Sequence, residues 1–528
     1  MVGGVGRERS WWGWGWADEA LGEAECAALA KQVRGFLVLD GDLSRPPEPA
    51  APSPHLRPPA ALQEICRVDS RTRAAHARGK AYRDVVRNLA GDLTNPPDLV
   101  AFPRSEVDIT AVFDWAASVG AAVVPYGGGT SVVGGVEYRG DAPWLSLDLS
   151  MMDTVEQVDE TSLAARIQAG ITGPALEDQL RPYGLTLRHY PQSFEFSTLG
   201  GWLATRAGGH FATGYTHIDD AVEALRVVTP VGIGESLRVP ASGAGPSPDR
   251  LWLGSEGTLG VIVAAWVRVM RRPAFRARCT VTFGGYADGV AAARDVVQAG
   301  LRPSNCRVLD PVEAMLGAGV VDGSARLLLG FESADHPLEP WIDRALAIAT
   351  AHGGSAPKGR VLRESGAGRP DDAGDKWRAS FLQGPYLQDA LMCLGVIADT
   401  FETACTWRAF PELHREVVGS VSEAVRRECG TGTVTCRFTH VYPDGPAPYF
   451  TFLGRARAGA ELEQWTAIKQ AAGDALARAG GTITHHHAVG RTHRPWYDRE
   501  RPAPFAEALR AAKRTLDPAG ILNPGVLI

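Results

Sequence analysis

The eight cysteines of this 528-residue chain are scattered, with no CxxC pair among them. That fits free thiols in a reducing cytosol better than a zinc site or a disulfide framework, so a cytoplasmic location is expected. No apolar run is long enough to cross a bilayer. The early arginines lead into WWGWGW, which is too short and too rich in glycine for a signal-peptide core. Positive charge is not in excess: 54 Lys and Arg face 60 Asp and Glu, for a net charge of −6. Nucleic acid is therefore not an expected partner. The glycine-rich loop after Val124 has neither the GxGxxG spacing of a Rossmann turn nor the lysine of a GxxxxGK[ST] loop. No internal repeat is present.

Apolar residues make up 45% of the chain and charged residues 22%, an ordinary globular balance at a length that suits two or three domains. The four tryptophans of Trp11 to Trp16 would be costly in water, so this arm is expected to dock on the body of the protein or on a partner. Residues 45–59 read as an extended crossing and Ala74 to Ala90 as a helix. Ser105 and Asp108 form a capping-box start for a helix to about Val119, and Ala121 to Val124 is a short strand. Strands are expected at Leu99–Phe102, Trp144–Leu149, Ala164–Ala169 and Val261–Met270, with a helix from Gly173 to Tyr183 stopped by Gly184. After Pro273 come helices at Gly285–Gly300 and Trp341–His352 and strands at Arg326–Phe331 and Val434–Thr439. Residues 355–375 read as an irregular excursion, and Leu516 to Gly525 as a pair of turns returning to the first domain.

Three stretches concentrate glycines and hydroxyls: PYGGGTSVVGG from Pro125, PQSFEFSTLGGWLATRAGG from Pro191, and GSEGTLG from Gly254. Consecutive glycines can turn backbone N–H groups toward one point and let the chain approach an anion such as a diphosphate. One such loop is also compatible with a plain surface turn. Three within one domain length point to a single large phosphate-bearing ligand.

These stretches, with WWGWGWADE, Phe401-Glu-Thr403 before Trp407, Thr435-Cys-Arg437 before Pro448-Tyr-Phe450, HHHAVG from His485 and LDPAGILNPG from Leu516, resemble the FAD-binding oxidoreductases of the vanillyl-alcohol-oxidase (PCMH) type. The resemblance is narrowest to the alkyldihydroxyacetonephosphate synthase, or alkylglycerone-phosphate synthase, branch, and it covers nearly the whole chain. It implies an α+β fold in which a two-subdomain FAD-binding domain lies beneath an α/β cap that binds substrate. The corresponding boundaries are an arm and helical segment at 1–92, an FAD domain at 93–273, a cap at 274–500 and a returning segment at 501–528.

The same resemblance places FAD against Pro125, Tyr126, Gly127, Gly128, Gly129, Thr130 and Ser131, then Pro191, Gln192, Ser193, Phe194, Glu195, Phe196, Ser197 and Thr198. It adds Thr205, Arg206, Ala207 and Gly208, and finally Glu256, Gly257, Thr258, Leu259, Gly260, Val261 and Ile262. The first loop lacks the histidine of covalent relatives, so non-covalent FAD is implied. The implied reaction exchanges the acyl group of acyl-dihydroxyacetone phosphate for a fatty alcohol through a flavin N5 adduct. The implied catalytic residues are Tyr449, His485, His486, His487 and Arg378.

Tyr449 and Thr451 share one face of a strand-like run, with Phe450 and Phe452 on the other. A tyrosine of ordinary pKa near 10 is a poor base unless a cation lowers it. If His485 to His487 lie on a strand, the first and third share a face; no carboxylate or cysteine close in sequence completes a metal set, so no metal is expected. Arg378, Arg408 and Arg437 are the candidate substrate arginines. Where the family has Asp-Arg after the tryptophan, Trp407 is followed by Arg408 and Ala409, which on a strand would turn the charge to the opposite face. That shift keeps open an alternative, an FAD-dependent dehydrogenase or oxidase of a 2-hydroxy acid. The expected partner is a small lipid or hydroxy-acid substrate, while peripheral membrane contact and a homodimer stay open.

Overall fold

Ser105 starts the helix that the sequence marks most clearly. Its hydroxyl accepts the N–H of Asp108 at 3.3 Å, and the Asp108 carboxylate accepts the N–H of Ser105 at 3.1 Å. The helix Glu106–Val119 ends at Gly120 with φ +67°, a left-handed stop that glycine takes without strain. The computed structural model describes residues 8–34, 44–214, 217–364 and 384–528.

The cofactor half holds two sheets. The strands Ala122–Tyr126, Trp144–Asp148 and Leu99–Ala101 run parallel, and Cys66–Arg67 adds antiparallel at the edge. A five-stranded antiparallel sheet orders Val155–Asp159, Ala164–Gln168, Val261–Arg268, Val222–Thr229 and Gly232–Glu235. One apolar core that includes Val123, Leu145, Ile167, Leu199 and Val263 fills the space around these two sheets. Leu522 forms a parallel bridge with Val123, so residues 517–523 return to the first sheet.

The second half is a seven-stranded antiparallel sheet. Its order is Val361–Glu364, Phe275–Phe283, Ala325–Ser333, Asn305–Leu309, Gly432–Val441, Pro446–Arg455 and Val396–Glu402. Four helices cover one face, Tyr286–Gln298 and Glu339–Ala351 over one half, Phe410–Cys429 and Glu461–Arg478 over the other. Alternation along each strand sends every second residue to those helices: Cys306 and Val308, Cys436 and Phe438, Phe450 and Phe452. The residues between them, Arg307, Arg437 and Tyr449, face the opposite way.

Two expectations change. Residues 74–90 are not one helix but two, Ser70–Ala75 and Tyr82–Leu89. The chain leaves the helix between them because Gly79 and Lys80 lie against Ser131: a Cβ on Gly79 would sit 2.1 Å from the Ser131 carbonyl oxygen, and the Lys80 N–H donates to that oxygen at 2.7 Å. The expected excursion at 355–375 contains an edge strand, Val361–Glu364, paired to Phe275–Arg278. Its residues 365–375 lie outside the described residues.

Candidate active site

The face of the large sheet opposite the helices closes over the glycine loops and encloses a cavity of about 1170 Å³. Its floor is made of Pro125, Tyr126, Gly127, Gly128, Gly129, Thr130 and Ser131, joined by Pro191, Gln192, Ser193, Ser197 and Thr198. Thr205, Ala207, Gly208, Glu256, Gly257, Gly260, Val261 and Ile262 complete that side. The three loops singled out in the sequence thus meet in one place.

Six of the expected cofactor positions do not line it. Phe194 and Phe196 turn outward from the loop: Phe194 stacks on Tyr190 and Trp202, and Phe196 packs edge-on to Trp16. Glu195 accepts the indole N–H of Trp16 at 2.5 Å. Arg206 extends to Asp219 in an ion pair. Thr258 and Leu259 are buried behind the loop, the Thr258 hydroxyl donating to the Ser255 carbonyl at 2.7 Å.

Close packing explains the glycines of the first loop. A Cβ on Gly128 would lie 1.9 Å from the Phe196 carbonyl oxygen, and one on Gly127 would lie 2.3 Å from Thr198 Oγ1. The loop therefore rests its back on residues 196–198 and turns its other side to the cavity. The N–H groups of Gly128, Gly129 and Thr130 donate to no protein acceptor among the described residues. A row of uncommitted backbone donors fits a diphosphate.

The roof carries the titratable groups. Tyr449 and Arg437 are opposite each other in the antiparallel register, and the guanidinium carbon sits 4.2 Å from the centre of the phenol ring. Arg437 is itself ion-paired with the buried carboxylate of Glu313. The Tyr449 hydroxyl donates to Thr400 Oγ1 at 2.8 Å. Burial raises the Tyr449 pKa above its ordinary value, although Arg437 and the Thr400 bond pull it down. The expected lowering by a cation is thus outweighed, and the resting group is the neutral phenol.

His485, His486 and His487 occupy bends, not a strand. They wrap the buried carboxylate of Glu402, which accepts the backbone N–H of His485 at 2.6 Å, of His487 at 3.0 Å and of His486 at 3.2 Å, together with the Thr484 hydroxyl at 2.6 Å. Burial would raise the Glu402 pKa, but the Thr484 hydroxyl bond is among the contacts that hold it below the ordinary carboxylate range. Burial lowers the histidines to about 3 for His485 and His486 and about 4 for His487, so all three are neutral at neutral pH. His486 and His487 line the cavity. His485 does not: its ring turns to Tyr442, whose hydroxyl is 2.9 Å from Nε2. His440, His485 and His486 bring one ring nitrogen each within 4.8 Å of the other two.

The histidine turn is also tied to the floor. Glu256 Oε1 accepts the N–H of Val489 and Oε2 that of Gly490, both at 2.9 Å. Burial pushes the Glu256 carboxyl up to about 7 despite these bonds. Asn523 donates its amide to the Glu256 carbonyl at 2.7 Å and to the Gly135 carbonyl at 3.0 Å.

Of the candidate substrate arginines, Arg437 lines the cavity. Arg408 does not: the stretch after Trp407 is a turn that leads into the helix Phe410–Cys429, and its side chain is exposed. Arg378 lies outside the described residues. Thr400, Glu313, Arg307 and His440 line the cavity without having been singled out in the sequence. Strand alternation would have marked Arg307 as facing away from the helices, but only with the sheet order in hand; His440 faces the cavity because the register shifts between Phe438 and His440.

Residues 97–236 match the family model described as an FAD binding domain, and residues 272–527 match that of the C-terminal domain of FAD linked oxidases. The alkyldihydroxyacetonephosphate synthase of Dictyostelium discoideum is 30% identical over 94% of this chain and 87% of its own length, and that of Caenorhabditis elegans is 31% identical over 87% and 81%. The chain belongs to the alkyldihydroxyacetonephosphate synthase family. A solved alkyldihydroxyacetonephosphate synthase superposes with a TM-score of 0.81 at 25% identity, covering 98% of this chain and 97% of that one. At 26% identity over 82% of the chain and 74% of its own length, the mitochondrial D-lactate dehydrogenase (cytochrome) of Arabidopsis thaliana is a more distant relative. The PCMH-type architecture of a cofactor domain beneath a cap is the fold of this family, and FAD is its cofactor.

Proposed function

We propose that this member of the synthase family is an FAD-dependent alkylglycerone-phosphate synthase that exchanges the acyl group of acyl-dihydroxyacetone phosphate for a fatty alcohol. The observation that carries this reading is the meeting of the three glycine loops with Tyr449, His486, His487 and Arg437 in one cavity. The reaction balances without an external oxidant. One bond from the substrate carbon to the acyloxy oxygen breaks, one to the alcohol oxygen forms, and the fatty acid leaves with the alcohol's proton.

Bound FAD supplies an electron-poor ring that can exchange an electron pair with the substrate carbon. The floor residues would hold it, with the uncommitted N–H groups of Gly128, Gly129 and Thr130 available to its diphosphate. Tyr449 handles the proton next to the substrate ketone. Because its resting form is the neutral phenol, that proton needs a relay. His486 is neutral, and its ring is stacked at 6.0 Å from the Tyr449 ring. The Arg437 guanidinium favours whatever negative charge the phenol oxygen carries during transfer. Arg307 and Arg437 are the guanidinium groups that line the cavity among the described residues, and they take the substrate phosphate. Met315, Leu316, Val321, Leu387 and Leu391 line its apolar end, a suitable wall for an alkyl chain.

The holoenzyme is incubated with acyl-dihydroxyacetone phosphate and an ¹⁸O-labelled long-chain alcohol, and products are weighed by mass spectrometry. An ether that retains the label is expected. No ether, together with anaerobic bleaching of the flavin by lactate or glycolate, would replace this reading with that of a 2-hydroxy-acid dehydrogenase.

A further inference from the structure

The tryptophan-rich arm is not consumed by the chemistry above, yet it sits against the cofactor cavity. Residues Glu8 to Ala17 close into a small hairpin through the bonds of Ser10 N–H to the Gly15 carbonyl at 2.9 Å and Ala17 N–H to the Glu8 carbonyl at 2.8 Å. Its first strand reaches the diphosphate loop: Arg9 Nη2 donates to the Gly128 carbonyl at 3.1 Å. Its second strand reaches the neighbouring loop through the Trp16 indole, which donates to Glu195. The Phe196 ring bridges the two contacts, with the Arg9 guanidinium 4.7 Å from its centre and Trp16 edge-on at 5.9 Å.

The tip of the hairpin holds the other side. Trp14 lines the cavity, and its N–H donates to the Asp389 carboxylate at 2.6 Å. Both glycines of the WWGWGW motif are required by close approach. A Cβ on Gly13 would meet Asp389 Oδ2 at 2.3 Å, and one on Gly15, at φ +71°, would meet the Tyr386 ring at 2.2 Å. Asp389 and Tyr386 belong to the helical residues 384–393, which lead directly into the strand Val396–Glu402 that bears Thr400 and Glu402. The hairpin therefore touches two of the three cofactor loops and the segment that feeds the roof.

We propose that the hairpin Arg9–Trp16 is a cofactor clasp, in which Arg9 is a positioning residue that holds the Gly128 turn in its FAD-binding shape and so sets how tightly FAD is retained. The clasp rests on the assignment of this cavity to FAD. A loop whose back is fixed before the ligand arrives loses less freedom on binding, so affinity rises without any new contact to the ligand. The Gly128 carbonyl is held by Arg9 while its N–H stays free for the cavity side.

Holoenzyme of wild type, Arg9→Ala and Gly15→Val is diluted, and FAD release is followed by the recovery of flavin fluorescence. Each protein is also melted with and without FAD. The expected outcome is release about tenfold faster in both variants. The apo melting temperature should stay near that of wild type, while the gap between holo and apo forms narrows. Release from Arg9→Ala within about twofold of wild type, or an equal fall in apo and holo melting with unchanged release, overturns the clasp. Should Gly15→Val fail to accumulate, Arg9→Ala decides alone. Wild-type protein that neither carries nor takes up FAD would instead defeat the assignment of the cavity, an outcome distinct from wild type and variants that hold FAD equally well.

Discussion

The Glu402 carboxylate sits directly beneath His485, accepting its backbone N–H at 2.6 Å. The same carboxylate takes the N–H groups of the next two histidines and the Thr484 hydroxyl, so one buried charge shapes the whole turn. Glu402→Gln replaces an acceptor oxygen with a donor that faces N–H groups. A loss of about 2 kcal/mol is expected, since buried donors are left unsatisfied. Chemical denaturation measures it, and a variant as stable as wild type would show that the turn holds its shape without the charge.

Acid should loosen the same turn. The folded pKa values of His485, His486 and His487 lie at about 3 to 4, below the ordinary 6.5. The unfolded chain therefore binds more protons as pH falls below about 6.5, and stability drops until the folded values are reached. Glu402, with its depressed pKa, adds stability above the ordinary carboxylate range and loses it in the same acid direction. Glu256 works the other way: its raised pKa favours the fold at low pH and removes that stability as pH rises toward 7. Replacing one histidine isolates its share. His486→Gln should flatten the fall in melting temperature between about pH 6.5 and 4.5. Superimposable profiles for variant and wild type would reject the buried neutral assignment.

Tyr449→Phe removes one hydroxyl and its bond to Thr400 while keeping the ring under Arg437. The variant should fold, keep its flavin spectrum and lose turnover by about 100-fold or more, the scale of a lost proton-transfer group. In wild type, turnover should rise toward alkaline pH, because the raised pKa of Tyr449 keeps the phenol protonated at neutrality. A fully active variant would remove Tyr449 from the reaction.

Gly128→Ala sets a methyl group where the Phe196 carbonyl oxygen lies, 1.9 Å from the Cβ position. Backbone meets backbone there, so the loop must shift. FAD affinity should fall by at least about tenfold. Equilibrium dialysis against free FAD reads the change, and unaltered affinity would mean that this loop does not carry the diphosphate.

Arg408→Ala should leave KM and kcat as they are. The residue occupies an exposed turn outside the cavity. A raised KM for the phosphate-bearing substrate would return Arg408 to the site.

The cofactor floor was legible in the sequence because its signal is local. Glycines and hydroxyls that lie together in the chain make the loops that lie together in space, as at Pro125–Ser131. The strand alternation of Tyr449 to Phe452 was legible for the same reason. Within the loops, inward and outward positions were not: Phe194 and Phe196 look like their neighbours until Tyr190, Trp202 and Trp16 are seen to cover them. Glu402 and Arg307 escaped notice because their roles depend on partners from distant strands and turns, and Glu256, expected on the floor, gave no sign of its bonds to the histidine turn. His485 to His487 occupy bends, where side chains need not alternate as they would on a strand.

The amide of Asn523 reaches both the Gly135 and the Glu256 carbonyls. Two loops of the cofactor floor are thus fastened to each other by a side chain distant from both in the sequence, so the shape of the floor depends on the closing turn at 517–523 being docked against Val123.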